Sequence, residues 1–308
     1  MKTSTFLILE IIRDGVDMKK DDLIVCEPTS GIASRTYVLA DAYTLAKEYN
    51  KKLIIIWRKT SDCDCLYRDV YAPEQFSDIT VHVYECNQYT AKFSEFLKKK
   101  SLSGVLKMIR EAGIRLTYIC KHTVLYHYYR AKCQIYKNSY EDHNALFDSG
   151  LARNNGCFFE AYNCITGKGK LADIHFRRMF EQEAEDILAN AGDNIIGVHI
   201  RRTDHALAKK SKTQHFVERM KEETQNNPEV HFYLATDDWE EQFQMTERFG
   251  DRIIVQKDKT LERSSKAGMY SGIIDLLCLS KTSRILGSHS SIFSKFAAEY
   301  GRIPLEIM

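Results

Sequence analysis

The stretch IIGVHIRRTDHALAK, residues 195–209, opens the most regular half of the sequence. Its first residues are β-branched or small apart from His199, and two arginines, a threonine and an aspartate follow directly. A β-branched run of this length is typical of a buried strand, and the charged residues mark its carboxyl end. A strand that ends in so much fixed charge indicates either a surface ion pair or a ligand site.

From this stretch to the end of the chain, strand and helix patterns alternate. Strands are expected at 194–200, 230–236, 251–256 and 283–288. Helices are expected at 212–226, 238–249, 267–281 and 291–300. This alternation predicts a doubly wound α/β domain with a parallel sheet.

The start of the chain shows the same alternation in a shorter form. A strand at 21–27, an amphipathic helix at 34–49 and a strand at 51–57 together predict a βαβ unit. The middle is less regular, with helical patterns at 93–112, 142–152 and 172–190 and a strand pattern at 155–163. We therefore expect an α/β fold with an N-terminal domain (1–188), a C-terminal domain (189–295) and a tail (296–308). Whether the tail packs against the first domain stays open at this point. The length of 308 residues suits two domains.

Composition excludes several classes of function. The net charge of +2 does not suggest binding to bulk nucleic acid. The 9 cysteines show no zinc spacing, and Cys63 and Cys65 stand too close together for an ordinary structural bridge, so we expect nine reduced thiols. The apolar run near the N-terminus is interrupted by Glu10 and fits neither a signal peptide nor a membrane span. A cytoplasmic location is the expectation.

Polar side chains stand at the predicted carboxyl ends of three strands in the C-terminal half. The first group follows the opening strand, where alternation puts His199 and Arg201 on one side and Arg202 on the other. Arginine forks bind phosphate oxygens. The alternative is a surface ion pair of Arg202 with Asp204 and an ordinary core histidine.

The other two groups precede helices. ATDD (235–238) ends the second strand with Asp237 and Asp238, and GSHSS (287–291) ends the last one with three serines. Helix N-termini bind anions through free amides, but these residue types are also ordinary helix caps. Both interpretations remain open for each group.

Asp275 is unusual because it lies in an otherwise apolar helix and shares a face with Gly268, Ser271 and Gly272. A glycine inside a helix costs about 1 kcal/mol relative to alanine, a cost that is easier to accept where something approaches closely. The alternative is a solvated acid. Ligands of open parallel sheets bind beyond the carboxyl ends of the strands, so the four groups together predict one pocket. Its arginines would bind phosphate, and its carboxylate would accept from the N–H groups of a base such as guanine.

At these residues the sequence resembles the GDP-fucose-dependent fucosyltransferases, most closely those of the α1,6 type. The motif H-x-R-R-T-D matches HIRRTD (199–204), a strand ending in A-T-D-D matches 235–238, and a helical aspartate followed by a serine pair matches Asp275 with Ser290 and Ser291. The resemblance covers roughly 195–300. It implies a GT-B-like fold, in which two Rossmann-like domains face each other across a cleft.

The resemblance also implies roles for individual residues. Arg201 contacts the β-phosphate of GDP-fucose and is catalytic together with Arg202, whereas His199 and Asp275 hold guanine. A glycine-rich turn near the N-terminus is matched by Gly31 and Arg35, although Ser34 stands where the family has an asparagine. In the third motif, Lys295 stands where the family has the final arginine. The full set of donor-binding residues that we expect is His199, Arg201, Thr203, Asp204, Asp237, Asp238, Gly272, Asp275, Ser288, Ser290, Ser291, Gly31 and Arg35.

The expected reaction is an inverting transfer of fucose to a hydroxyl of a glycan acceptor, with no cofactor and no metal. The general base stays open among acids of the N-terminal half, namely Glu27, Asp62, Asp64 and Asp69. DCD (62–64) has the pattern with which some glycosyltransferases hold Mn²⁺, but we interpret it as a loop. The alternatives are a transferase for another nucleotide-sugar and a non-catalytic protein that binds one. Oligomeric state is not predicted.

Overall fold

The computed structural model describes residues 22–87, 125–137, 155–189, 191–192, 194–203 and 210–308. Residue contacts divide the chain into two compact units, Met1–Ile174 and His175–Met308. Each unit contains one sheet in its described part, and every pairing between its strands is parallel. This is the α/β architecture with two parallel sheets that the alternation of patterns predicts.

The first unit has the strand order β3-β2-β1-β5-β4. Its strands are β1 (Leu23–Pro28), β2 (Lys52–Lys59), β3 (Val81–Asn87), β4 (Gln134–Lys137) and β5 (Cys157–Ala161). Its helices are α1 (Ile32–Glu48), the single turn α2 (Tyr67–Val70) and helical turns at 125–132, with a short 3-10 turn at Leu171–Asp173. β1 is buried along its whole length, as expected for the central strand of a sheet covered on both faces.

Asp41 ties the loop after β5 to α1. Its buried carboxylate accepts hydrogen bonds from the backbone N–H groups of Ile165, Thr166, Gly167 and Gly169, and from the Thr166 hydroxyl. A buried charge is tolerated when donors surround it in this way. One helical side chain therefore sets the shape of a loop more than 120 residues further along the chain.

The second unit has the strand order β10-β9-β6-β7-β8. Its strands are β6 (Ile195–Ile200), β7 (His231–Thr236), β8 (Ile253–Ile254), β9 (Ile285–Gly287) and β10 (Leu305–Ile307). Its helices are α3 (Arg178–Leu188), α4 (Thr213–Asn226), α5 (Trp239–Phe249), α6 (Lys266–Ser280) and α7 (Ile292–Gly301). β6 is fully buried at the centre, so the opening stretch of the sequence is the core strand of this sheet.

Three features of the second unit differ from the sequence expectation. The helix expected at 172–190 begins only at Arg178, because 174–177 is extended and buries Ile174 and Phe176 in alternation. The contact boundary follows Ile174 instead of residue 188, since α3 packs its Phe180 ring against Tyr270 of α6 at 4.9 Å. Residues 305–307 of the expected tail form β10, which pairs with β9 in the sheet of the second unit.

The helices expected at 93–112 and 142–152 lie outside the described residues. Strands β3 and β4, which the irregular middle of the sequence did not predict, are the two edge strands of their sheet and are only partly buried. Within the described ranges, every helix is too short or too polar to cross a membrane.

Candidate nucleotide-sugar site

His199 and Arg201 project from the carboxyl end of β6 into one pocket. His199 is buried, its Nδ1 lies 2.6 Å from the Ser294 hydroxyl, and its ring packs against Phe293 with centroids 4.9 Å apart. Burial lowers the pKa of His199 to about 3; Asp237 opposes this shift, and Arg201 adds to it. The imidazole is therefore neutral at ordinary pH and serves the pocket as a hydrogen-bonding group, not as a cation.

Asp275 brings a buried carboxylate to the same pocket from α6. The Tyr233 hydroxyl donates to its Oδ1 at 2.6 Å, and Nζ of the buried Lys259 lies 3.5 Å from its Oδ2. Burial raises the pKa of Asp275, whereas Lys259 and Tyr233 lower it. Each carboxylate oxygen has a further lone pair, so Asp275 can accept two more hydrogen bonds from a ligand.

The pocket is an open space of about 540 Å³, counting the region at its mouth. It is lined by His199, Arg201, Ala235, Thr236, Asp237, Thr260, Leu261, Arg263, Gly268, Ser271, Gly272, Asp275 and Phe293. Two guanidinium groups, two carboxylates and an aromatic ring thus converge from β6, β7, α6, α7 and the loop between β8 and α6, an arrangement that suits a ligand with an anionic part and N–H donors.

Two glycines of α6 differ in what a methyl group would meet. A Cβ added to Gly268 would collide with the backbone carbonyl of Glu262. The group that approaches this glycine closely is therefore the protein's own backbone and not a ligand. A Cβ added to Gly272 would meet nothing within 4 Å. Because Gly272 lines the pocket, the space above it is available to a ligand.

Arg202 points away from the pocket and holds the turn after β6. Its Nε donates to Oε2 of Glu241 at 2.8 Å, and its terminal nitrogens donate to the Ser211 carbonyl and the Thr213 hydroxyl. Asp237 fixes the same turn, since it accepts from the backbone N–H of Arg202 at 2.7 Å and from the Thr203 hydroxyl at 2.6 Å. Arg202 and Thr203 therefore position the end of β6 and do not line the pocket, whereas Asp204 lies outside the described residues.

The predicted serines and Asp238 also lie outside the pocket lining. Ser288 accepts from the Arg201 backbone N–H at 3.0 Å, and Ser291 caps α7, with its hydroxyl 3.5 Å from His199 Nδ1. Ser290, in the left-handed conformation, contacts its neighbour His289. Asp238 caps α5 through the backbone N–H of Glu241 at 3.1 Å. Their visible contacts are those of helix caps and of a scaffold around His199 and Arg201.

Gly31 and Arg35 belong to the first unit. Arg35 is 0% exposed, and its guanidinium donates to the carbonyls of Ser30 and Arg58, both at 2.8 Å, and to the Thr60 hydroxyl at 3.1 Å. It also stacks over the Trp57 ring, 4.7 Å from the centroid. Arg35 thus joins the start of α1 to the end of β2, and this geometry does not present it to a ligand. Gly31 precedes α1 in an extended conformation open to any residue type.

The acids considered as general base have these surroundings. Glu27 is buried and pairs with Arg58 at 3.0 Å, and Asp64 pairs with Lys59 at 2.8 Å. Asp69 accepts from the backbone N–H of Leu66 at the start of α2, and Asp62 is exposed. Their geometry does not single out one of them. No group of three potential metal ligands occurs among the residues that the structure describes.

Sequence reasoning did not identify four residues that shape the pocket: Lys259, Tyr233, Arg263 and Phe293. Lys259 and Arg263 lie in a polar loop, where charged residues are common and carry no pattern that points to a ligand site. Tyr233 is one of several aromatic residues in a buried strand. Phe293 is the only one with a local signal, since it directly follows the serines at the start of α7.

Comparison with known proteins gave matches in structure only. No family model and no curated protein matches the chain. Among solved structures, it is similar to the NodZ fucosyltransferase from Bradyrhizobium, with a TM-score of 0.56, 17% identity and coverage of 90% of this chain and 92% of that one. A crystal structure of NodZ α-1,6-fucosyltransferase co-crystallised with GDP matches equally well, at a TM-score of 0.56 and 17% identity over 90% and 91% of the two chains. POFUT1 in complex with GDP matches with a TM-score of 0.57 and 10% identity over 94% and 99%. At these identities the likeness establishes the fold, which is the GT-B-like α/β fold of those fucosyltransferases.

Proposed function

We propose that the protein is an inverting glycosyltransferase that transfers fucose from GDP-fucose to a hydroxyl of a glycan acceptor. The observation that carries this proposal is the pocket into which three separate segments bring His199, Arg201, Asp237, Gly272 and Asp275. The fold supports it, because the similar structures include fucosyltransferases bound to GDP.

The base of the donor is assigned to Asp275. Guanine presents N1–H and a 2-amino group side by side, and a carboxylate can accept from both. Tyr233 and Lys259 hold Asp275 in place, and Lys259 favours its charged form, which accepts but does not donate. Adenine and uracil lack this pair of adjacent donors, so the pocket should select guanine nucleotides.

The diphosphate is assigned to Arg201, with Arg263 as the second cation of the pocket. In a single displacement, the acceptor oxygen bonds to C1 of fucose, the bond from C1 to the β-phosphate oxygen breaks, and a general base, still open among the acids of the N-terminal half, takes the hydroxyl proton. Negative charge then grows on the leaving GDP, and a guanidinium held in advance stabilises it. Arg202 acts indirectly, because its contacts with Glu241 and Thr213 fix the turn that carries Arg201.

Nucleotide selectivity tests the assignment of Asp275. Calorimetry should show that GDP binds more tightly than inosine diphosphate, which lacks the 2-amino group, and much more tightly than ADP or UDP. In Asp275→Asn the preference for GDP over inosine diphosphate should disappear, whereas the exposed Asp251→Asn should behave like the wild type. Equal affinity of the wild type for all four nucleotides would contradict the proposal.

Turnover tests the assignment of Arg201. With GDP-fucose and a glycan mixture, Arg201→Ala and Arg201→Lys should lower transfer by roughly 10²–10³-fold, the usual cost of one lost transition-state donor. The exposed Arg248→Ala is the matched control. Binding without turnover of any GDP-sugar would instead identify a non-catalytic binding protein, and turnover of another GDP-sugar would change the donor.

The remaining features of the proposal are metal independence, the acceptor side and the location. Arg201 and Arg263 supply positive charge that a divalent ion would otherwise supply, so transfer should persist in EDTA. We assign the acceptor to the first unit, and a glycan array with labelled GDP-fucose would identify it. A cytoplasmic location also stays a prediction.

A further inference from the structure

Two thiols face each other in the loop that follows β2. Sγ of Cys63 and Sγ of Cys65 lie 3.6 Å apart, within the distance of a weak thiol hydrogen bond, and both side chains are buried. Backbone contacts fix this loop, because Thr60 and Cys63 exchange N–H···O bonds and the Trp57 indole donates to the Cys65 carbonyl at 2.8 Å. The two sulfurs are therefore held together by the fold and do not meet by chance.

The surroundings favour a thiolate on one of the two sulfurs. The hydrogen bond from Cys65 lowers the pKa of Cys63 and outweighs the effect of burial, and the Arg35 guanidinium acts in the same direction. The same hydrogen bond and burial raise the pKa of Cys65. One nucleophilic sulfur beside one protonated partner is the arrangement of a reactive and a resolving thiol.

We propose that Cys63 and Cys65 form a reversible disulfide when the protein meets a small peroxide. The geometry requires a modest movement, since a disulfide has its sulfurs about 2.05 Å apart and these start at 3.6 Å, a closure of about 1.5 Å. A bridge across a single intervening residue departs from the preferred geometry, which makes it easy to reduce again. The proposal does not depend on the function proposed above.

The chemistry balances with peroxide as the oxidant. The Cys63 thiolate attacks one peroxide oxygen, so an S–O bond forms, the O–O bond breaks, and hydroxide leaves. The Cys65 sulfur then attacks the sulfenic sulfur of Cys63, so the S–S bond forms and the S–O bond breaks. The second hydroxide takes the Cys65 proton as water, and the net reaction turns two thiols and one hydrogen peroxide into a disulfide and two waters. Burial favours a small neutral oxidant over a bulky disulfide reagent.

Peptide mass spectrometry on the wild-type protein tests the proposal directly. Trypsin cuts after Lys59 and Arg68, so residues 60–68 form one peptide that contains both cysteines. After peroxide, denaturation and alkylation, this peptide should carry no alkyl group and weigh 2 Da less than the dithiol form, because two hydrogens are lost; dithiothreitol should restore two alkylated thiols. A peptide that keeps two alkylatable thiols, or that gains oxygen instead, would overturn the proposal.

Variants and fluorescence provide the controls. Cys63→Ser and Cys65→Ser should both lose the mass change, whereas Cys164→Ser, at a partly exposed cysteine, should keep it. In a Trp239→Phe background Trp57 is the remaining tryptophan, and its emission should fall on oxidation because the disulfide forms beside its indole. A bulky aromatic disulfide should react with Cys164 at least roughly ten-fold faster than with the buried pair. A bridge between either cysteine and another residue would also contradict the proposal.

Discussion

His199 shows how one buried side chain links the pocket to the stability of the fold. Its ring is enclosed by Phe293 and Ser294, and burial lowers its pKa to about 3. An unfolded histidine has a pKa of about 6.5, so between these two values the unfolded chain binds one more proton than the folded chain. Protonation therefore favours unfolding, and the stability contributed by neutral His199 is present above about pH 6.5 and declines as the pH falls.

We expect the free energy of unfolding of the wild type to fall by about 1.4 kcal/mol for each pH unit below 6.5 through this residue alone. His199→Gln removes the titrating group and should remove that part of the slope. Urea unfolding of both proteins at pH 5.0, 6.0 and 7.0 measures the difference. Parallel pH profiles for the two proteins would show that His199 titrates normally in the folded chain.

Helix α6 is the element in which the requirements of stability and of binding differ. Gly272 costs helix stability, yet the space beside it belongs to the pocket. Gly272→Ala should therefore raise the free energy of unfolding by up to about 1 kcal/mol and at the same time weaken GDP binding, because the new methyl group enters the ligand space. Urea unfolding and calorimetry on the same samples check both effects. A stabilised variant with unchanged affinity would show that the ligand does not lie over α6.

Helix α1 organises the first unit through Asp41. Asp41→Ala would leave several buried donors without a partner, each at a cost of about 1–3 kcal/mol, so we expect a loss of roughly 3 kcal/mol or more. The released loop should also be cut faster by trypsin after Lys168 and Lys170. Glu48→Ala, an exposed acid on the same helix, is the matched control. Wild-type stability and trypsin resistance of the Asp41 variant would contradict this account.

At the scale of the whole molecule, the sequence predicted those elements whose apolar residues recur with the period of a helix or a strand. The α/β alternation and the order of elements in the second unit are confirmed, because buried parallel strands and amphipathic helices leave strong periodic signals. β3, β4 and β10 were not predicted, since these edge strands are only partly buried and their apolar residues therefore follow no clear period. Five predicted residues do line one pocket, but Lys259 and Tyr233 were not identified because their importance depends on contacts with Asp275 across the fold.

Ligand binding should be visible in the second unit as a whole. A nucleotide at 100 times its dissociation constant stabilises the folded state by about 2.7 kcal/mol. We expect GDP at that ratio to slow hydrogen exchange in 259–275 and 287–294, the segments that carry Asp275, which we propose binds the base, and the start of α7. Mass spectrometry of exchange with and without GDP measures this, with ADP as the control. Equal protection by both nucleotides would contradict guanine recognition.

The contrast between Gly268 and Gly272 also makes an expectation about natural variation. The Glu262 carbonyl leaves no room for a side chain at position 268, so any relative that keeps this loop has to keep glycine there, whatever it binds. At position 272 the protein leaves open space, so under the proposed function the ligand is what constrains this residue, and larger residues there would mark proteins that bind a smaller molecule. Aligned on these two positions, homologous sequences can be sorted into those that retain the fold and those that also retain the ligand.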